Sequence, residues 1–414
     1  MTGDDPGTGR RVAHQRLRVR LPDAKIRCAG VLLPAQGAPI SDRTPFASTL
    51  IASTLVSVFV LGAPGATSVH AATDGGSVQT CDGTFHRVRI PFRDSLDNYL
   101  FGVDALSPTD VWAVGESNGT YAIHWDGSRW SITPTPSPSP YSYFSGVAAV
   151  ASNDVWAVGA WQSRIGFPFS PLIEHWDGAS WTRTPIPDLP GGTVLASVSG
   201  VAPDDVWAVG TMDPDYPLTM HWDGSSWAVV GNPLGSTFAD LRGVHALGTD
   251  DVWAVGALGQ NGYDSPLAMH WDGSAWHVSS LPSTVAAALE SVSGLSSNDV
   301  WAVGLADTQL VLHWDGFSWH PVDTPWSLQG NVFFAVDELS LDDVLAGGYY
   351  ATSPYQKAFI AEGTGGSWFA VPDYPGAGRS FVYGLTSAAN WRWAVGFDDA
   401  SKHVPVVQQA CEAS

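Results

Sequence analysis

Asp104, Glu290 and Asp337, together with His245, are the residues of this chain whose types could exchange protons, since bond cleavage by general acid–base catalysis needs a carboxylic acid opposite a base. Arg242 and Glu338 lie in the same segments. Five histidines share one setting, His-Trp-Asp-Gly, at His124, His175, His221, His270 and His313, and imidazole is the commonest metal-ligating side chain. Each belongs to a separate copy of a repeat, too far from the others to converge on one ion as zinc ligands must. The sequence therefore predicts a hydrogen-bonding structural role for them, with no metal and no cofactor. It contains no HExxH, phosphate-binding glycine loop, EF-hand loop or cysteine-rich metal cluster. With 40 acids against 19 bases the net charge is −21, which opposes a phosphate-neutralising surface and excludes nucleic acid as a partner.

The elements that must position these residues are repeats. DVWAVG begins at Asp110, Asp154, Asp205, Asp251 and Asp299, becomes DVLAGG at Asp343 and returns as RWAVG from Arg392. The third residues, Trp112, Trp156, Trp207, Trp253, Trp301, Leu345 and Trp393, are 44, 51, 46, 48, 44 and 48 residues apart. HWDGxxW follows in five copies, from His124, His175, His221, His270 and His313, and decays to EGTGGSW after Ala361 in the sixth. Val111 and Ala113 alternate with Trp112 and Val114 between clusters of Gly, Pro, Asp and Ser, the pattern of a strand. Four strands per repeat follow, as in Phe101 to Leu106, Asp110 to Gly115, Tyr121 to Trp125 and Trp130 to Thr133. A period of this length with four strands is that of one propeller blade, so the fold is predicted as all-β, a seven-bladed β-propeller with antiparallel four-stranded blades. The repeated tryptophans are then expected between blades rather than as ligand platforms. The repeated aspartates are expected to accept turn N–H groups.

The seventh copy ends after three strands, with PVVQQACEAS from Pro405 aligned on PLIEHWDGAS from Pro171. The missing fourth strand is expected from the segment after Cys81, where Cys-Asp-Gly stands in place of Trp-Asp-Gly. That alignment brings Cys81 to Cys411, predicting a disulfide that staples the ring. Upstream, residues 1 to 46 carry eight of the bases, Leu50 to Gly62 is uncharged, and Val69-His70-Ala71 is a small-x-small cleavage pattern. The apolar core, about 13 residues, is shorter than the roughly 20 that span a bilayer. Residues 1–71 are thus expected to be a removed leader, and 72–414 a single secreted domain without a transmembrane anchor.

The repeats resemble those of bacterial exported seven-bladed β-propellers in the kelch-like and Asp-box-like group, over residues 81 to 411. WDGxxW is similar to the Asp-box hairpin SxDxGxxW, with Asp and Gly adjacent here. The resemblance implies a fold and a binding scaffold.

Function is expected where the repeats disagree. The short turns between first and second strands, and between third and fourth, are nearly constant and fall on one face of an antiparallel ring. The other connections vary and fall on the opposite face: AWQSRIGFPFSP from Ala160, TMDPDYP from Thr211, LGQNGYDSP from Leu258 and GYYATSPYQK from Gly348. They offer Trp161, Arg164, Asp213, Asp215, Tyr216, Asn261, Tyr263, Asp264, Tyr349, Tyr350 and Tyr355, with Trp326 and Tyr374 from the links between blades. Aromatics interleaved with Asp and Asn suit stacking and hydrogen bonding to a polar ligand. The sequence points to a monomeric, non-enzymatic module that binds an extracellular polysaccharide or protein. Two alternatives stay open: a polysaccharide lyase or glycosidase at the channel mouth through Asp104, His245, Glu290 and Asp337, and a passive surface scaffold.

Overall fold

In the motif strand Asp110–Glu116 the side chains of Val111, Trp112, Ala113 and Val114 are all buried, on both faces of the strand. Such a strand must lie inside a sheet that is covered on both sides. Val111 and Ala113 pack with Trp393 of the last repeat, whereas Trp112 and Val114 pack with Phe144, Val155 and Trp181 of the next. Each sheet is therefore sandwiched between its two neighbours. The computed structural model describes residues 27–28, 31–32, 81–92, 97–259, 265–282, 287–306, 309–326, 331–341, 343–351, 355–364, 366–371, 378–399 and 403–411. Apart from a two-residue pairing of Arg27–Cys28 with Val31–Leu32, its strands form seven four-stranded antiparallel sheets. The innermost strands contact one another around the whole circle, Arg379–Ala388 touching Tyr99–Ser107.

The first blade is Tyr99–Ser107, Asp110–Glu116, Thr120–Trp125 and Trp130–Ile132, from the inside outward. The seventh is Arg379–Ala388, Trp391–Asp399 and His403–Cys411, completed by His86–Val88 from before the first blade. His86, Arg87 and Val88 lie opposite Gln409, Gln408 and Val407. Cys81 and Cys411 are disulfide-bonded, with Cα atoms 4.6 Å apart.

Tryptophan contacts carry the repeat from blade to blade. Trp112 meets Trp176 at 5.1 Å and Trp181 edge-on at 5.4 Å between ring centroids. Trp156, Trp207 and Trp253 repeat this geometry on their own neighbours. The series changes where the motif does. Leu345 replaces the tryptophan in blade six and packs on Phe85 and Ala410, the smaller residues that close blade seven.

Every innermost strand carries a bulge next to the motif glycine. Leu100 lies opposite Gly115 and Gly102 opposite Val114, so Phe101 is left over, and the same shift recurs in all seven blades. The glycine is required there: a Cβ on Gly115 would sit 2.0 Å from the carbonyl oxygen of Tyr99, and on Gly256 1.9 Å from that of Asp240. A bulge re-aims the extra side chain.

One core position breaks the hydrophobic pattern. Glu174 stands where four other blades have Ile123, Met220, Met269 and Leu312 and the last two have Ala361 and Gln408, is 0% exposed, and its carboxyl accepts no hydrogen bond among the described residues. Burial pushes its pKa up to about 8, against the pull of Arg183. The folded chain thus holds a proton that the unfolded chain releases above the ordinary value, so Glu174 makes stability fall as pH rises from about 4.5 to about 8. Glu174→Met is expected to raise stability by about 3 kcal/mol at pH 8 and by much less at pH 5. Denaturant titrations at the two pH values check this, and an equal gain at both would refute it.

Candidate functional site

The histidines and motif aspartates are joined blade by blade. His124 Nε2 donates to Asp110 Oδ1 at 2.8 Å, His175 to Asp154 at 2.7 Å, His221 to Asp205 at 2.9 Å, His270 to Asp251 at 2.8 Å and His313 to Asp299 at 2.6 Å. Each imidazole also lies against its own blade's motif tryptophan, at 4.2 to 4.6 Å between centroids. The Trp-Asp-Gly aspartates accept turn N–H groups: Asp126 takes those of Ser128 at 2.8 Å and Arg129 at 2.9 Å. The following-strand tryptophans are tied down as well, Trp125 donating to Pro108 O at 3.1 Å and Trp222 to Pro203 O at 3.0 Å. These repeated groups build the constant face, and among the described residues no three His, Cys, Asp or Glu side chains gather as a metal site.

The four channel residues of the sequence analysis fall into two levels. Asp104, His245 and Asp337 lie opposite the third motif residue, Trp112, Trp253 and Leu345. At this level the side chains bond inner strands together. Asp104 Oδ2 accepts the N–H of Ala149 in the next blade at 2.7 Å, and His245 Nε2 donates to Gly294 O at 2.9 Å. Ser199 and Ser293 accept the N–H groups of Ala246 and Glu338 in the same way, at 3.0 and 3.1 Å. Burial raises Asp104 to about 6 and Asp337 to about 7, the latter also through the charge of Asp104, while burial lowers His245. Glu290 is not with them. It occupies the bulge of blade five, three residues nearer the variable face, or about 10 Å along a strand, and its partner is Arg242.

On the variable face Trp161 is half-buried, with the Arg183 guanidinium 5.2 Å over its ring. The Asp213–Pro214 peptide is cis, and Asp215 holds φ +103°, left-handed backbone that non-glycine residues seldom adopt. Asp215 N–H donates to Met212 O at 2.8 Å and its carbonyl accepts from Ala239 at 2.9 Å, which fastens this loop to the inner strand of the next blade. Tyr216 packs on Phe238 at 5.7 Å. Trp326 and Tyr350 both meet Phe359 edge-on, at 4.9 and 5.8 Å. Tyr349, the neighbour of Tyr350 in the strand, turns the other way onto Phe334 and Phe381, at 5.7 and 5.0 Å. Tyr355 is 48% exposed. Asn261, Tyr263, Asp264 and Tyr374 lie outside the described residues.

The bulge residues form a ring of which the sequence analysis singled out Arg242 and Glu290 alone: Phe101, Ser145, Ala196, Arg242, Glu290, Phe334 and Tyr383. Tyr383 meets Phe334 at 5.3 Å and Phe101 at 5.6 Å. Arg242 bonds the Glu290 carboxylate through Nη1, and Asp240 Oδ2 through Nε at 3.1 Å and Nη2 at 2.9 Å. Burial pushes Glu290 up to about 7 even though Arg242 pulls it down.

No protein-family model matches the chain. No curated protein sequence matches it. Solved structures do match in shape. "YCF48 bound to D1 peptide" superposes with a TM-score of 0.56 at 14% identity, over 80% of this chain and 96% of that one. The WD40 propeller domain of Doa1 gives 0.54 at 11%, over 76% and 94%. The GH74 xyloglucanase from Xanthomonas campestris gives 0.52 at 12%, over 77% of this chain and 54% of the enzyme. The likeness is one of fold.

A signal for the bulge ring was present in the sequence. Immediately before the glycine or serine of GVD, GVA, SVS and GVH, the position passes among aromatic, charged and small residues, whereas the glycine of DVWAVG opposite never changes. Strict period-two alternation hides it, because a bulge resets the count.

Proposed function

We propose that this chain is a secreted, non-enzymatic recognition propeller that holds an extracellular polysaccharide or protein on the face of its variable connections. One observation carries the reading: the repeated His–Asp pairs and Trp-Asp-Gly turns belong to one face, and the half-exposed aromatics and the strained Asp215 loop belong to the other. Loops on a rigid scaffold are where binding concentrates. Two of the similar propellers are described as bound to a peptide and as a xyloglucanase, so the scaffold is compatible with both ligand classes. For secretion, the reading rests on the leader pattern of residues 1–71 and on the disulfide, which persists in oxidising compartments. No described helix is long and apolar enough to cross a membrane.

A screen of cell-wall glycans and peptides tests it, with product release followed in parallel. Combined replacement of Tyr349, Tyr350 and Tyr355 by alanine is expected to weaken binding at least about tenfold, while Phe317→Ala on the constant face leaves it unchanged. Binding untouched by the tyrosine replacements would remove this face as the site. Turnover that disappears in Asp104→Asn with Asp337→Asn would replace the reading with a polysaccharide-cleaving enzyme acting in the channel.

A further inference from the structure

We propose that the mouth of the central channel on the variable face is a saccharide-binding floor, where a neutral sugar ring stacks on Phe101, Tyr383 and Phe334 and its hydroxyls bond to Asp240. This rests on the variable face being the binding face and names the ligand class that the centre of that face would take.

The first support is the bulge. In seven blades the backbone makes room for one extra residue at the same level, with a glycine opposite each time. The glycine is constant because the carbonyl leaves no space. The extra residue is not, passing through Phe, Ser, Ala, Arg, Glu, Phe and Tyr around the ring. A position needed only for packing in a repeat this regular would repeat, as the tryptophans do.

The second support is how the ring divides. Aromatic rings follow one another without a gap from blade two through one and seven to six: Phe169 to Tyr143 at 5.9 Å, Tyr143 to Phe101 at 6.5 Å, Phe101 to Tyr383 at 5.6 Å, Tyr383 to Phe334 at 5.3 Å and Phe334 to Tyr349 at 5.7 Å. Phe101, Phe334, Tyr349 and Tyr383 are each only partly covered. Blades five and four carry the polar groups instead, Glu290 and Asp240 both bonded to Arg242. Arg242 and Glu290 side chains are 4% exposed and Asp240 is 24% exposed, so the guanidinium is a buried support that holds Asp240 Oδ2, and Asp240, whose Oδ1 is enclosed, is the more accessible of the two carboxylates.

The third support is charge. Both carboxylates share one guanidinium, so the polar side offers oriented acceptors that carry one net negative charge when both are ionised. An anionic ligand would meet this negative side, whereas a hydroxyl donates to a carboxylate lone pair without disturbing the ion pair. An apolar platform next to a few fixed polar groups matches the two-sided chemistry of a sugar ring, with C–H groups on its face and hydroxyls at its edge.

The test uses the full domain and three probe sets: short neutral oligosaccharides, their uronic-acid counterparts and a mixed peptide pool, read by intrinsic fluorescence and calorimetry. Neutral oligosaccharides are expected to bind with an affinity that does not change between low and high salt. Tyr383→Ala should weaken this at least about tenfold and Asp240→Asn about fivefold, with Phe317→Ala on the constant face staying within about twofold. Asp240→Asn keeps the shape of a partly exposed side chain, so it remains informative if Tyr383→Ala fails to fold. Wild-type affinity in both mouth variants with loss in the combined Tyr349, Tyr350 and Tyr355 variant would overturn the floor and leave the variable-face reading standing. Binding of peptides or uronic acids in place of neutral sugars would overturn the ligand class. No binding by any set would overturn both.

Discussion

Replacing Cys81 and Cys411 by alanine is expected to lower stability by about 5 kcal/mol, the chain-entropy value for opening a very long loop. The two cysteines are 330 residues apart, so the bond closes nearly the whole ring. In the other blades the third and fourth strands are joined covalently through a short turn. In blade seven that continuity is absent, and His86–Val88 is held by three register pairs, the Gly83 N–H to Cys411 O bond of 3.1 Å and the burial of Phe85. Without the disulfide this short strand must pair again at the entropic cost of a free chain end. The loss should appear as a lower denaturant midpoint and as early amide exchange at Val88 and Val407. Both cysteines should resist a thiol reagent until reduced. Wild-type stability in the alanine variant, or two reactive thiols before reduction, would contradict it.

Arg392→Val is expected to cost about 3 to 5 kcal/mol, the range for leaving a buried pair without its partner. Arg392 takes the place of the motif valine in blade seven and is 2% exposed. It reaches back to blade six, bonding Asp343 at 3.2 Å and Glu362 at 3.1 Å. The reason is a substitution in blade six: Glu362 stands where five other blades have the histidine that donates to the motif aspartate. A carboxylate therefore stands in the place of the imidazole beside the motif aspartate, and the next blade supplies a cation to both. Glu362→His with Arg392→Val restores the pattern of the regular blades and should recover most of the loss. A double-mutant cycle on denaturant midpoints measures this. Additive effects would show that the two sites do not depend on each other.

The same pair of residues marks the limit of what the sequence could tell. The decay of HWDG to EGTG and of DVWAVG to RWAVG is visible in the chain, yet each looks like a worn repeat when read alone. Only neighbouring blades in space reveal that one change answers the other. Glu290 is a second instance. It was grouped with Asp104, His245 and Asp337 because all lie on first strands, and the bulge moves it to a different level beside Arg242. The loop residues stand between these cases. Tyr349 and Tyr350 were expected together, and the strand sends one toward the channel arc and the other to Phe359.

By itself the sequence determined the number of blades, the four strands in each, the strand that completes the seventh, the disulfide and the structural role of the repeated tryptophans, histidines and aspartates. It could do so because these features repeat, and each copy corrects the reading of the others. The tertiary structure alone decided which first-strand residue lines the channel mouth, that aromatics from blades two, one, seven and six join into one arc, and that Arg392 serves blade six. Those facts depend on bulges and on contacts between residues of different repeats. A linear pattern of hydrophobicity records which residues are buried, but it carries no record of which distant residue fills the other side of the contact.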